Sequence, residues 1–241
     1  MTRARFEVLL AAVLFGTTGT ALALGPGSAS PLAVGAARIV VGGALLAGLA
    51  AATGALRGPW PVGLVLSAGV GVAIYQLSFF EAVDRTGVAI GAIVAIGSGP
   101  IFVGVIERLV DGVWPGRRWA VATAIATAGV ALLTISGAEG ASADVAGIGL
   151  ALVAGAGYAS YTVIAKRLIR AGHAPVGVVG IAFGTAAMLL IPVLLGAGAE
   201  WLGSSSGIAV ALYLGIFPTA AAYVLFARGL THLPEIGRAH V

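Results

Sequence analysis

The sequence has no cysteine and few charged residues, since Asp, Glu, Lys and Arg together make up 9% of its 241 residues. The lack of cysteine excludes disulfide bonds, thiolate metal sites and cysteine nucleophiles. About a quarter of the residues in a soluble domain are charged, so a globule built from this chain lacks the polar side chains to cover its surface. The scarcity of charge therefore argues against a water-soluble enzyme or nucleic-acid-binding module.

Catalytic and ligand-binding motifs are also lacking. His173 and His232 fall in predicted connections, no His/Glu pair has metal-ligand spacing, and no glycine-rich phosphate loop is present. The 13 basic residues are scattered between apolar blocks and form no basic patch. We therefore predict no catalytic residue, no metal, no cofactor and no nucleic-acid partner.

Hydrophobic residues are abundant: they make up 59% of the chain, which has a mean hydropathy of +1.07. A helix needs about 20 mostly apolar residues to cross a bilayer. Segments of about this length are found at 6–25, 31–52, 61–83, 87–110, 119–136, 145–165, 175–196 and 207–227. The sequence therefore predicts an all-α polytopic membrane protein with eight transmembrane helices joined by short links.

The basic residues predict the orientation. If the N-terminus is cytoplasmic, Arg85 lies on the outer side, Arg38 lies within the second segment and Arg238 lies in the C-terminal tail. All the other basic residues then face the cytoplasm, as the positive-inside rule requires. Heavy use of Ala, Gly and Arg is typical of a bacterial genome rich in G and C. We therefore predict a multi-pass protein of the bacterial inner membrane with a cytoplasmic N-terminus.

The chain also has a weak internal repeat. A shift of 147 residues places Phe79 opposite Phe226, and Tyr75-Gln76 opposite Ala222-Tyr223. Many transporters are built from inverted repeats of this kind. Because the unit has five helices, an odd number, two copies would have opposite orientations in the membrane.

Several stretches, taken in order, resemble the EamA-like family of the drug/metabolite transporter superfamily; they lie at 75–83, 86–89, 97–103, 116–119, 128–133, 158–167 and 212–223. The resemblance covers residues 6 to about 234 and implies ten helices in two inverted five-helix units, at 6–136 and 145–234. Since eight segments are present, we predict that the second unit is truncated after its third helix. Residues 236–241 resemble a translated sequencing adapter and are predicted to be a non-native tail.

This resemblance implies a function. Members of the family are secondary transporters, so we expect the protein to move a small metabolite or drug-like solute across the bacterial inner membrane by alternating access. The alternative is a membrane scaffold or regulatory subunit without transport activity. The implied partners are the solute and the lipid bilayer, and a homodimer is compatible with the sequence.

Two charged residues within the segments are candidates for function, because a charge in the membrane is costly. Arg38 lies about seven residues into the second segment and resembles an arginine often found in this helix of the family. The alternative is that its long stem reaches the outer headgroups. Glu81, near the outer end of the third segment, is a candidate proton carrier, and the alternative is an ion pair with Arg85 one turn away.

Uncharged polar residues within the segments are candidates for solute binding. Tyr75, Gln76 and Tyr223 come from corresponding segments of the two units, near which a site at the midplane is expected. We predict that they contact the solute together with Tyr158 and Arg38. The alternative is ordinary hydrogen bonding between helices.

Two prolines are candidates for gating. Pro100 follows Gly97-Ser98-Gly99 within the fourth segment, and Pro218 lies within the eighth. Proline removes a helical hydrogen bond, and neighbouring glycines loosen the backbone further. A hinge and a static kink are both consistent with this pattern.

Overall fold

The computed structural model describes residues 3–23, 25, 27, 29–112, 116–137 and 144–232, and these residues are almost entirely helical. The α-helices in this part of the chain are α1 (Arg3–Ala23), α2 (Pro31–Ala52), α3 (Val62–Asp111), α4 (Arg117–Gly137), α5 (Val145–Arg170), α6 (Pro175–Gly196), α7 (Ser205–Gly215) and α8 (Ala222–His232). A 3-10 turn (Glu200–Gly203) precedes α7, and a π-helical segment (Ile216–Ala221) joins α7 to α8. The tail predicted at 236–241 lies outside the described residues.

The helices are apolar and long. In the described ranges, five stretches are long and apolar enough to cross a membrane: Pro31–Ala52, Val62–Val110, Val145–Arg170, Pro175–Gly196 and Ser205–Arg228. Two shorter apolar stretches, Leu9–Ala21 and Trp119–Gly129, lie in α1 and α4. The prediction of an all-α polytopic membrane protein is therefore confirmed, and the number of crossings stays a prediction.

The longest helix, α3, folds back on itself at Gly87. This residue has φ 82° and ψ 158°, a conformation outside the helical region that glycine adopts without strain. Just beyond it, a Cβ atom built on Gly91 would lie 3.0 Å from the Cα of Val83. In a straight helix these two residues would be about 12 Å apart. The chain therefore reverses direction here, and α3 consists of two antiparallel arms.

Contacts with α5 confirm the reversal. A Cβ atom on Gly155 would lie 2.8 Å from the carbonyl oxygen of Ala95, and one on Gly157 would lie 2.8 Å from the amide nitrogen of Tyr75. Positions 155 and 157 differ by only about 3 Å along the helix axis. Residues 75 and 95 therefore lie at the same level of the bundle, one on each arm of α3.

The break between the arms comes later than the sequence indicates. Charge and turn signals at 84–86 predicted a link, whereas these three residues are the last turn of the first arm. The Thr86 hydroxyl donates a hydrogen bond to the Ala82 carbonyl (2.8 Å), as expected within a helix. The helix stops only at Gly87, because the positive φ needed for the reversal strains any residue with a Cβ atom.

The other helices pack in pairs, with small residues at the contacts. α2 packs against α6, α1 packs against α8, and the first arm of α3 also contacts α6. Gly43 lies directly against the Phe183 carbonyl, and a Cβ atom on Gly180 would lie 2.8 Å from the Leu46 carbonyl oxygen. Glycine lets the helix backbones approach this closely. The main apolar core lies where α2, the first arm of α3, α5, α6, α7 and α8 meet.

Polar caps define where three helices begin. The side chains of Ser30, Asp144 and Ser204 accept hydrogen bonds from backbone N–H groups in the first turns of α2, α5 and α7, at 3.2, 2.9 and 3.0 Å. Such caps pair donors that have no partner within the helix. They explain why α2 and α5 begin at the predicted residues and why α7 begins two residues before the predicted position 207.

Candidate functional site

Arg38 lies inside the bundle, with only 4% of its surface exposed. Its Nε donates a hydrogen bond to the Thr219 hydroxyl at 2.7 Å, and its Nη2 donates to the Pro218 carbonyl oxygen at 3.3 Å. The side chain therefore reaches from α2 to the π-helical segment in the second half of the chain. A cation in this position is held between helices, and its stem does not extend to the bundle surface.

The π-helical segment owes its shape to Pro218. Proline has no N–H group, so the Leu214 carbonyl lacks the donor that an α-helix would supply four residues later. The Thr219 hydroxyl takes this role and donates to the Leu214 oxygen at 2.8 Å. The Thr219 oxygen thus accepts from Arg38 while its hydrogen points to Leu214. Pro218 and Thr219 together provide two oxygen acceptors for the guanidinium at the point where the α-helical hydrogen bonding is interrupted.

Glycines bring α2 close enough for these bonds. A Cβ atom on Gly42 would lie 2.7 Å from the Cβ of Thr219 and 2.9 Å from the carbonyl oxygen of Gly215. Likewise, one on Gly215 would lie 2.6 Å from the Cβ of Val41. Any larger residue at position 42 or 215 would push α2 away from the π-helical segment.

A continuous series of aromatic rings runs beside Arg38. The ring of Tyr75 lies 5.4 Å from that of Tyr158, which lies 6.1 Å from Tyr161; Phe183 lies 5.7 Å from Tyr161 and 4.3 Å from Tyr223. These rings come from α3, α5, α6 and α8. At the two ends of the series, Tyr75 and Tyr223 lie in the neighbourhood of Arg38. Phenol groups from both halves of the chain therefore lie near the guanidinium.

Gln76 adds an unusual polar group at this place. Its side chain is completely buried, and neither its Nε2 nor its Oε1 has a hydrogen-bond partner in the described part of the chain. The Nε2 atom would lie 3.1 Å from a Cβ atom on Gly35, one turn before Arg38 on α2. Buried amides are nearly always paired, because an unpaired one loses its hydrogen bonds to water. Gln76 therefore has the features of a binding group.

The structure brings most of the predicted site residues together. Arg38 bonds to Pro218 and lies near Tyr75 and Tyr223. The ring series connects these tyrosines to Tyr158, and Gln76 contacts α2 one turn before Arg38. Thr219 is the residue that sequence reasoning missed. The available signal was a hydroxyl side chain directly after a proline in an apolar segment.

Glu81 belongs to a different cluster. Its carboxylate accepts a hydrogen bond from Arg85 Nε at 2.8 Å, and Arg85 Nη1 lies 3.6 Å from the Asp144 carboxylate. The Glu81 side chain is 26% exposed. This is the arrangement expected of the ion pair named as the alternative to proton coupling.

Within the described ranges, no group of three or more His, Cys, Asp or Glu side chains could hold a metal ion.

Pro100 lies in the second arm of α3. Ser98, two residues earlier, is buried and donates to the Ala95 carbonyl at 3.2 Å. The Ser98 hydroxyl faces Gly155 of α5, where a Cβ atom would overlap it. The second arm therefore packs tightly on α5 just before the proline.

Comparisons with known proteins agree with this architecture. The EamA-like transporter family matches residues 4–135 and 145–235. The chain is 42% identical over 230 residues to "Uncharacterized transporter YwfM" of Bacillus subtilis (strain 168), and the match covers 94% of this chain and 76% of that protein. It is also similar to a protein of known crystal structure, with 25% sequence identity and a TM-score of 0.66 over 94% of this chain and 79% of the other. With a family match on both halves and a close relative that is named a transporter, this membrane protein belongs to the EamA-like transporter family.

Proposed function

We propose that the protein is a secondary transporter that moves a small metabolite or drug-like solute across the bacterial inner membrane, with Arg38 at the centre of its binding site. The observation that carries the proposal is a guanidinium buried between the two halves of the chain, with a completely buried amide one turn away along α2 that has no hydrogen-bond partner among the described residues. Charged and polar groups inside a membrane are costly and usually mark a solute pathway. Small-molecule sites likewise combine aromatic walls with a few polar groups.

The packing of the helices supports an inverted repeat. α1, from the first half, packs against α7 and α8 of the second, while α5, from the second half, packs against α3 of the first. α2 and α6, which occupy the same position in each half, pack against each other. Exchanging the two halves leaves this pattern unchanged. We therefore propose two inverted units, at 6–136 and 145–234, with eight crossings in this chain and the N-terminus in the cytoplasm.

Alternating access requires the two halves to move relative to each other around the site. The hydrogen bonds from Arg38 to Thr219 and Pro218 join the halves directly. In our proposal these bonds hold the closed state and break when the halves separate. Pro218 then acts in gating through its carbonyl, and Pro100 acts as a hinge in the first half, while Glu81 pairs with Arg85.

The experiment that tests this function is solute counterflow. The protein, expressed from its intact reading frame, is reconstituted into proteoliposomes preloaded with a panel of unlabelled metabolites, and uptake of the labelled compounds is measured. We expect at least one solute to be carried and Arg38→Gln to reduce its initial rate by roughly tenfold or more. Arg170→Gln, the same substitution at an exposed arginine, should leave the rate unchanged.

Two outcomes would overturn the proposal. If folded, reconstituted protein carries no member of a broad panel, with or without a proton gradient, the scaffold alternative is favoured. If Arg38→Gln and Arg170→Gln transport equally well, the site lies elsewhere.

A further inference from the structure

The charge of Arg38 has no acidic partner in the described part of the chain. Among the carboxylates described, Glu81 pairs with Arg85, and Glu107 pairs with Lys166 at 2.7 Å. Among the described residues, Arg38 itself bonds only to neutral oxygens, those of Thr219 and Pro218. A buried cation is ordinarily paired with an anion, because neutral dipoles replace its hydration incompletely. Within this part of the chain, the positive charge of the site is therefore uncompensated.

The guanidinium also has donors to spare. Arginine carries five N–H groups in a planar fork, and two of them are used here. The fork geometry fits the two oxygens of a carboxylate, which it binds with parallel, charge-assisted hydrogen bonds. A single cation neutralises a single negative charge, so a monoanion fits this site better than a phosphate or a dicarboxylate.

Gln76 specifies a second feature of the ligand. Its amide offers two N–H donors and one carbonyl acceptor, and all of them lack partners among the described residues. Nε2 can donate to the same carboxylate, since Gln76 faces α2 one turn from Arg38. Oε1 still needs a hydrogen from the ligand. A hydroxyl group beside the carboxylate would supply it without adding a charge.

We infer that this site binds a small monocarboxylate with a hydroxyl donor next to the carboxylate, held by the Arg38 guanidinium and the Gln76 amide. The rings of Tyr75, Tyr158 and Tyr223 provide the surface for the rest of the molecule. This inference rests on the proposed function, since it names the chemical class that the same site transports.

The test uses ligands that differ in one group at a time. Lactate, propionate and lactamide share a three-carbon skeleton, and 3-phenyllactate, 3-phenylpropionate and 3-phenyllactamide repeat the series with an apolar body. Binding to the purified protein is measured by ligand-induced thermal stabilisation, and transport by counterflow. In one or both series we expect the hydroxy acid to bind tightest, followed by the acid without the hydroxyl, with the amide weakest by roughly tenfold or more.

Two variants assign the interactions to residues. Arg38→Gln should abolish the preference for the hydroxy acid over its amide, while Gln76→Leu should abolish the preference for the hydroxy acid over the plain acid. A third variant guards against misfolding as an explanation. Gln76→Glu provides Arg38 with the missing carboxylate, so it should raise the thermal stability of the empty protein and weaken acid binding. Arg170→Gln, at an exposed site, should leave all preferences unchanged.

The inference and the proposed function fail in different ways. Transport of amides or cations with no preference for the matching acids would overturn the inference and leave a transporter. Binding of the hydroxy acids without any flux would support the inference and contradict the transport function. The inference is also wrong if Arg38→Gln keeps the preference for acids, if Gln76→Glu binds acids as tightly as wild type, or if no compound in either series has an effect.

Discussion

The hydrogen bond between Arg38 and Thr219 provides a direct test of how the two halves are joined. Thr219→Val keeps the shape of the side chain and removes its hydroxyl. Two bonds are lost, the one from Arg38 Nε at 2.7 Å and the one to the Leu214 carbonyl at 2.8 Å. Thr219 is completely buried, so water does not replace the missing group. We therefore expect the variant to be less stable than wild type.

A double-mutant cycle isolates the part that belongs to Arg38. Neutral hydrogen bonds between membrane helices contribute about 0.6 kcal/mol on average, and a charged donor roughly doubles the strength. Because Arg38 is 4% exposed, solvent screens this bond weakly, and we expect a coupling free energy of about 1 to 2 kcal/mol. The bond from Thr219 to Leu214 is absent from both Thr219→Val backgrounds, so it cancels in the cycle.

The assay is reversible unfolding in mixed micelles of a mild detergent and SDS. The free energy of unfolding is compared for wild type, Thr219→Val, Arg38→Met and the double variant. Thr123→Val, at another buried threonine on α4, gives a control cycle with Arg38→Met that should be additive within about 0.5 kcal/mol. If the Thr219 cycle is equally additive, the Arg38–Thr219 bond contributes nothing to joining the halves and our reasoning about the site is refuted.

Three further changes test the packing in the same assay. Gly43→Ala should lower the free energy of unfolding by about 1 to 3 kcal/mol, because the new methyl group meets the backbone of α6. Gly48→Ala, at an open position on α2, should leave the free energy of unfolding unchanged or raise it. Equal effects of the two substitutions would contradict the close approach of α2 and α6. Gly87→Ala should lower the free energy of unfolding by about 1 to 3 kcal/mol, because φ 82° with ψ 158° is a conformation that essentially only glycine adopts. Stability equal to that of Gly48→Ala would argue against the reversal. Glu107→Gln breaks the exposed ion pair with Lys166 and should lower the free energy of unfolding by less than about 1 kcal/mol, and by still less at high salt. A larger decrease would contradict the expectation that solvent screens this pair.

Hydropathy alone predicted where most helices lie. The predicted segments 31–52 and 175–196 coincide with α2 and α6. The ends of helices were less predictable, because a charge marks where the membrane ends and a helix can continue past it. α5 was predicted to end at residue 165, yet it continues to Arg170, and Lys166 in this extension pairs with Glu107 of α3.

The candidate site was predictable in part. Arg38 and Gln76 stand out in sequence because a charge or an amide is rare in an apolar segment. Their neighbours could not be inferred in the same way. Thr219 resembles any other threonine until the π-helical segment directs its hydroxyl at a guanidinium 181 residues away in the chain. Such a pairing depends on how α2 approaches that segment through Gly42, which no local pattern encodes.

The amino-acid sequence by itself determined the class of this protein, because backbone amides in hydrocarbon must be paired within helices and long apolar segments leave no other choice. It also determined which residues are out of place in a membrane, and hence which ones are candidates for function. Only the tertiary structure decided that Gly87 folds α3 into two arms and that Arg38 meets neutral oxygens and, among the residues described, no acid. The physical reason is that hydropathy is a property of each segment alone, whereas the partner of a buried charge depends on which helices pack together.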